Sequence, residues 1–211
     1  MSNQQEIELR PFPPFLPPLA TVLMMGSFPP RAERRFPPKV EKRSMQFHYP
    51  NFQNDMWRVY GLVFFGNAAH FERPGEKAFD AVRIKAFLRE RGIASCPGVR
   101  RAIRTHGNAS DAHLRVVETV ELPEILEKIP HCRHICTTGG KATEILCALV
   151  ETDVRAKDVQ IGTAFPARCA GRDLSITRLP STSRAYPMKL AAKAAAYRAF
   201  FVQAGCLAAE E

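Results

Sequence analysis

The chain has 211 residues, of which 45% are hydrophobic and 24% charged, enough for one large core and against wholesale disorder. It carries 30 Lys and Arg against 21 Asp and Glu, a formal net charge of +9, which favours a polyanionic partner, nucleic acid before an anionic membrane. No apolar run approaches the about 18 residues a membrane-spanning helix needs, and the polar start from Met1 to Glu8 is no secretory signal.

Residues 1–19 form a proline-rich, extended lead-in, with Phe12, Phe15 and Leu16 set to pack on the single domain expected over 20–211. Thr21 to Met25 reads as the first buried strand, ended by Gly26. A long loop from Ser27 to Asn54 follows, and loops of that length inside a compact domain are often functional. It holds six Lys or Arg between Arg31 and Arg43, against Glu33 and Glu41. Asn54 or Asp55 can cap a helix over Met56 to Phe65, with Trp57 in the core.

Glu76 to Arg91 reads as a helix with an apolar stripe of Phe79, Val82, Ala86 and Phe87, closed by Gly92. Ile93 to Cys96 is a short strand, and Arg100 to Asp111 reads as loop. Leu122 to Ile129 is a short helix, and His134 to Thr138 a buried strand. Gly139 and Gly140 turn the chain into a helix over Lys141 to Val150. Val159 to Ala170 is irregular or an edge hairpin, and Leu174 to Leu179 the last strand. Pro180 to Tyr186 is a loop before a helix over Met188 to Gln203, whose stripe is Leu190, Ala194, Tyr197 and Phe201.

Strands alternating with helices predict an α/β fold, a short central parallel sheet covered on both faces. Chemistry in such folds gathers at the carboxyl edge of the sheet, where the loops after Met25, Thr138 and Leu179 leave. The six cysteines are scattered and mostly in apolar segments, and no CxxC pair occurs. They read as reduced, buried residues of a cytoplasmic protein. His131, Cys132, His134 and Cys136 crowd together, but alternate residues of a strand face opposite ways, so no metal site is expected.

Three segments carry candidate chemistry. In Thr137 to Ala142, the glycine turn is either a phosphate cradle built from helix-start amides or a tight structural turn. It is not a P-loop, because Ile135 and Ala142 stand where that motif needs Gly and Ser or Thr. Leu179 to Pro187 packs three hydroxyls, Arg184 and Tyr186 between prolines, which suits phosphate binding and a wedge into a base stack, or a helix cap from Ser181 or Ser183. Tyr49 to Trp57 joins an aromatic ring to several amides, a set able to stack on a base and read its polar edge.

Taken in order, Gly26-Ser27-Phe28-Pro29, Tyr49 to Trp57 and Leu179-Pro180-Ser181-Thr182-Ser183 resemble the motifs of the uracil-DNA glycosylase superfamily. The likeness is greatest to the branch of hypoxanthine-DNA and mismatch-specific uracil-DNA glycosylases. It spans about residues 20 to 203 and includes the Gly139-Gly140-Lys141-Ala142 turn.

The resemblance implies a three-layer α/β/α sandwich and a base-excision enzyme that acts on DNA as a monomer, without metal or organic cofactor. It implies that Tyr49 stacks on a flipped base and that Asn54 positions water, with Asp55 as the second candidate catalytic residue. Ser27 and Phe28 fall in the motif whose backbone amides face the base, with Asn51 beside Tyr49 in the same pocket. Ser181 matches a phosphate-binding serine, with Gly140 and Lys141 at the neighbouring turn. Thr182, Ser183 and Arg184 fall on the wedge that fills the gap a flipped base leaves. Asn108 and Asp111 lie in a loop that corresponds to a further pocket element.

Two positions depart from the family pattern. Phe28 replaces a common Asp or Asn, and Leu179 a common His or Asn, which leaves water positioning to Asn54 or Asp55. The same departures motivate a non-catalytic DNA- or phosphate-binding module on this fold. The glycine turn alone motivates a small-nucleotide hydrolase or transferase. No iron–sulfur cluster is expected, because the four-cysteine pattern is absent.

Overall fold

A computed structural model describes residues 6–29, 45–104 and 114–208. Two sheets organise them. Strands β2 (Val22–Gly26), β3 (Ile93–Pro97), β6 (His134–Thr137), β7 (Ala164–Cys169) and β8 (Arg172–Arg178) form a central sheet in the order β3-β2-β6-β8-β7. The first four in that order are parallel, and β7 closes one edge as the antiparallel arm of a hairpin with β8. Strands β1 (Ile7–Leu9), β4 (Val99–Arg104) and β5 (Leu114–Thr119) form a small antiparallel sheet in the order β1-β4-β5.

The central strand β2 is a continuous apolar run because both of its faces are covered. In β2, Val22 and Met24 point into a core shared with helices α1 (Met56–Phe65), α2 (Ala81–Glu90) and α5 (Leu190–Gln203). Leu23 and Met25 point the other way, into a core with helices α3 (Leu122–Lys128) and α4 (Gly140–Cys147). The result is the expected three-layer α/β/α sandwich. The first core is dominated by rings: Trp57, Tyr60, Phe71, Phe79, Tyr197 and Phe201 are fully buried.

Several element boundaries differ from the sequence reading. Helix α2 starts at Ala81, not Glu76, because the Asp80 side chain accepts from the backbone N–H groups of Val82 and Arg83 and caps it there. Its buried stripe is Ile84, Phe87 and Leu88, while Val82 is 79% exposed. Phe79 lies before the helix and still packs in the core.

The expected loop at Arg100 begins instead as β4. Its arginines hid the strand: Arg100 and Arg101 are exposed and reach Glu118 of β5, while Val99 and Ala102 face a small core. The lead-in contributes β1, whose register sets Ile7 opposite Ile103. Phe15 packs edge-on against Phe47, as its apolar side chain suggested.

Candidate active site

Parallel pairing fixes where the loops converge. Met25 pairs with Thr137, and Thr137 with Arg178, so β2, β6 and β8 end together. The ladder runs one step further, with Thr138 N–H donating to Met25 O and Leu179 N–H to Thr137 O. The three loops singled out above therefore leave one edge, as expected for a site at the carboxyl ends of parallel strands.

Tyr49 lies over this edge. Its backbone is left-handed at φ 52°, a conformation rare outside glycine. Its hydroxyl is 3.0 Å from Thr138 Oγ1, just ahead of the glycine turn. Its ring stands edge-on to Trp57 at 6.3 Å. Gly26 makes room for it: a Cβ there would lie 2.6 Å from the Tyr49 hydroxyl.

The backbone beside Tyr49 is held from below. Trp57 Nε1–H donates to His48 O at 3.1 Å, and the His48 ring is buried between Ser95 Oγ at 2.7 Å and Pro13 O at 3.0 Å. Burial keeps His48 neutral, with its pKa lowered to about 4.

Asn51 to Asp55 form a tight turn into α1. Asn54 N–H donates to Asn51 O, Asn51 Oδ1 accepts from Gln53 N–H, and Asn54 Oδ1 accepts from Met56 N–H at 2.9 Å. Asn54, half-buried, is thus the residue that satisfies the helix start. Asp55 occupies the cap position without capping. Its carboxylate turns across to the last helix, with Oδ2 2.9 Å from Lys193 Nζ and Oδ1 3.4 Å from Arg184 Nε.

The loop after β8 is tied to the same residue. Asp55 N–H donates to Thr182 O at 2.9 Å, and Lys193 Nζ donates to Ser183 O at 2.9 Å. Tyr197 Oη–H donates to Pro180 O, anchoring the loop's start. Ser181 and Ser183 cap no helix; their hydroxyls accept from the N–H groups of Ser183 and Ala185, which curls the loop on itself. Thr182 is buried, whereas Ser183 and Arg184 are exposed at the tip.

The glycine turn adjoins this loop. Gly139 has φ 128°, and a Cβ there would lie 3.6 Å from Ser181 Cβ. Thr143 Oγ1–H donates to Gly139 O, and Thr143 Oγ1 lies 2.7 Å from Thr137 Oγ1, a buried clamp under the turn. Gly140 opens α4 and is exposed; Lys141 pairs with Glu144 at 2.9 Å.

Other predicted residues stand apart. The Phe28 ring is buried in the small core with Val99, Ala102, Leu114 and Ile145, and Arg104 lies over it at 5.4 Å. Val99 N–H donates to Ser27 O at 3.1 Å, seating the loop start on β4 beside that core. Leu179 is fully buried in the aromatic core. The basic stretch Arg31 to Arg43, and Asn108 and Asp111, lie outside the described residues.

Among the described residues no group of three His, Cys, Asp or Glu side chains could hold a metal ion. The cysteines are free, and burial pushes the Cys96 and Cys132 thiols up to about 11 and about 12. A shallow depression of about 450 Å³, lined by Arg133, His134, Phe165 and Asp173 among others, lies toward the opposite ends of β6 and β8. It touches none of the converging loops, so it is not the site.

Sequence reasoning missed Lys193, Arg58 and Thr138. Lys193 stands four residues before Tyr197, on the apolar stripe of α5, and a lysine at a buried position demands an anionic partner. That spacing was the available signal.

No family model matches the chain, and no curated protein matches it. Among solved structures, it is similar to the solution NMR structure of a protein from Methanosarcina acetivorans provisionally named a uracil DNA glycosylase. The two share 22% sequence identity over 92% of this chain and 98% of that one, with a TM-score of 0.58. The likeness establishes a shared fold.

Proposed function

We propose that the chain is a DNA glycosylase that hydrolyses the N-glycosidic bond of a flipped, deaminated base such as uracil or hypoxanthine. One observation carries this reading. Asp55 ties the turn bearing Asn54 to the Ser181–Arg184 loop, while Tyr49 reaches across to Thr138 at the glycine turn. These contacts hold the Tyr49 ring, the Asn54 turn and the hydroxyl-rich loop along one edge, which supports a stacking role for Tyr49 and a water-positioning role for Asn54.

In this reading DNA phosphates bind the Ser181 hydroxyl and the amides at Gly140 and Lys141, where the helix start favours anions. Ser183 and Arg184 enter the gap in the stack, and the Tyr49 ring takes the extruded base, with Asn51 beside it. The bond to C1′ breaks with its electron pair going to the base, and amides of Ser27 and Phe28 stabilise the anion. A water held by Asn54 adds its oxygen to C1′ and releases a proton to solvent. Asn54 has the capacity: one lone pair of Oδ1 takes the Met56 amide, which leaves the other and the Nδ2 donors. Asp55, with its carboxylate held by buried Lys193, orders the loop instead of activating water.

The test is base release from duplexes carrying uracil, hypoxanthine or xanthine. An abasic product from at least one supports the proposal. The burial of Leu179 and of the Phe28 ring favours a second reading, a binding module on the same fold. It predicts salt-sensitive DNA binding with no product.

A further inference from the structure

The guanidinium of Arg58 is buried against the turn that carries Asn54. Its Nη1 donates to Phe52 O at 2.7 Å and to Asn54 O at 3.3 Å. Its Nε pairs with Glu72 at 2.8 Å. Its Cζ lies 4.3 Å from the Phe52 ring centre and 5.1 Å from that of Phe79. One side chain thus fixes two carbonyls and a ring of the 51–54 turn, while Glu72 fixes the side chain itself.

A charge buried this way is a weak source of net stability, because desolvation offsets most of the pairing. What it supplies is geometry. The planar group lies over two rings while Nη1 holds both carbonyls and Nε holds Glu72, a spread of contacts that the single nitrogen of a lysine cannot span. The carbonyls it holds belong to Asn54 and to the residue two before it.

We propose that Arg58 is a positioning residue for Asn54: through the Phe52 and Asn54 carbonyls it sets where the Asn54 carboxamide holds water. The proposal rests on the function above and adds a residue that touches neither base nor DNA in that account. A misplacement of about 1 Å costs roughly a hundredfold in rate. Arg58→Lys therefore lowers kcat roughly 10- to 100-fold and moves KM for lesion DNA less than about twofold.

The decisive measurement is a double-mutant cycle with Asn54→Ala. If Arg58 acts through Asn54, Arg58→Lys slows turnover in the unsubstituted background and adds nothing in the Asn54→Ala background. Glu72→Gln, which keeps Arg58 but loosens it, gives a smaller effect with the same dependence on Asn54. It serves as the cycle's second arm where Arg58→Lys fails to fold. Equal slowing in both backgrounds, or a raised KM with kcat intact, overturns the positioning role. Turnover that Arg58→Lys or Glu72→Gln leaves unchanged overturns it alone. Absence of turnover in the unsubstituted protein overturns it together with the glycosylase reading.

Discussion

Lys193 Nζ lies 2.9 Å from Asp55 Oδ2, a buried ion pair between residues 138 positions apart in the chain. It joins α5 to the residue that follows Asn54, and through Ser183 O it holds the loop after β8. Removing one partner of such a pair strands the other without compensation. Lys193→Met should cost about 3 kcal/mol or more of unfolding free energy, read by urea titration. Pairing it with Asp55→Leu should recover much of that loss while leaving the Ser181–Arg184 loop slack, so DNA binding stays weak.

Gly26 is the floor beneath Tyr49. A methyl there would overlap the Tyr49 hydroxyl, which then loses Thr138. Gly26→Ala should displace the ring and reduce base release by about tenfold or more, on the scale of a misplaced site group. Thr138→Val removes the hydrogen bond without the clash and should cost only about 1 kcal/mol in stability. A Gly26→Ala enzyme with full activity would show that the ring's place is not set by this glycine.

His48 makes stability depend on pH. Its folded pKa is lowered to about 4 by burial, while the unfolded chain takes up a proton near 6.5. Above pH 6.5 both states are neutral and nothing changes. As pH falls from 6.5 toward 4 the unfolded state binds the extra proton, and stability drops by about 1.4 kcal/mol per unit, on the order of 3 kcal/mol in all. Urea midpoints at pH 7 and pH 4.5 should differ more for the unsubstituted chain than for His48→Asn.

Thiol chemistry follows from burial. Cys147 is only half-buried, and the other five cysteines are buried. A thiol reagent at pH 8 should modify Cys147 first in the native protein. Cys96, Cys132 and Cys136 should wait for denaturant, as buried thiols of raised pKa do.

The strand β2 was readable because it is buried on both faces, so Val22 to Met25 appear as an unbroken apolar run. The stripe on α5 was readable because Tyr197 and Phe201 recur at helical spacing. The small sheet was not, because Arg100 and Arg101 place cations on a strand whose exposed face pairs with Glu118. The start of α2 was hidden because Phe79 extends the helical spacing past the capping Asp80. At the site, Asn54 and Asp55 stood out, but which of them would be sequestered depended on Lys193, far along the chain. Phe28 stood in the right motif, yet its ring sinks into a core formed with Val99 and Leu114.

The most direct test is single-turnover base release from duplexes with uracil, hypoxanthine or xanthine, run beside Asn54→Ala. The account predicts free base and an abasic site from at least one duplex, and release in Asn54→Ala slowed to a small but measurable residue, with DNA affinity retained. Folded protein that binds these duplexes and leaves every base in place would contradict it.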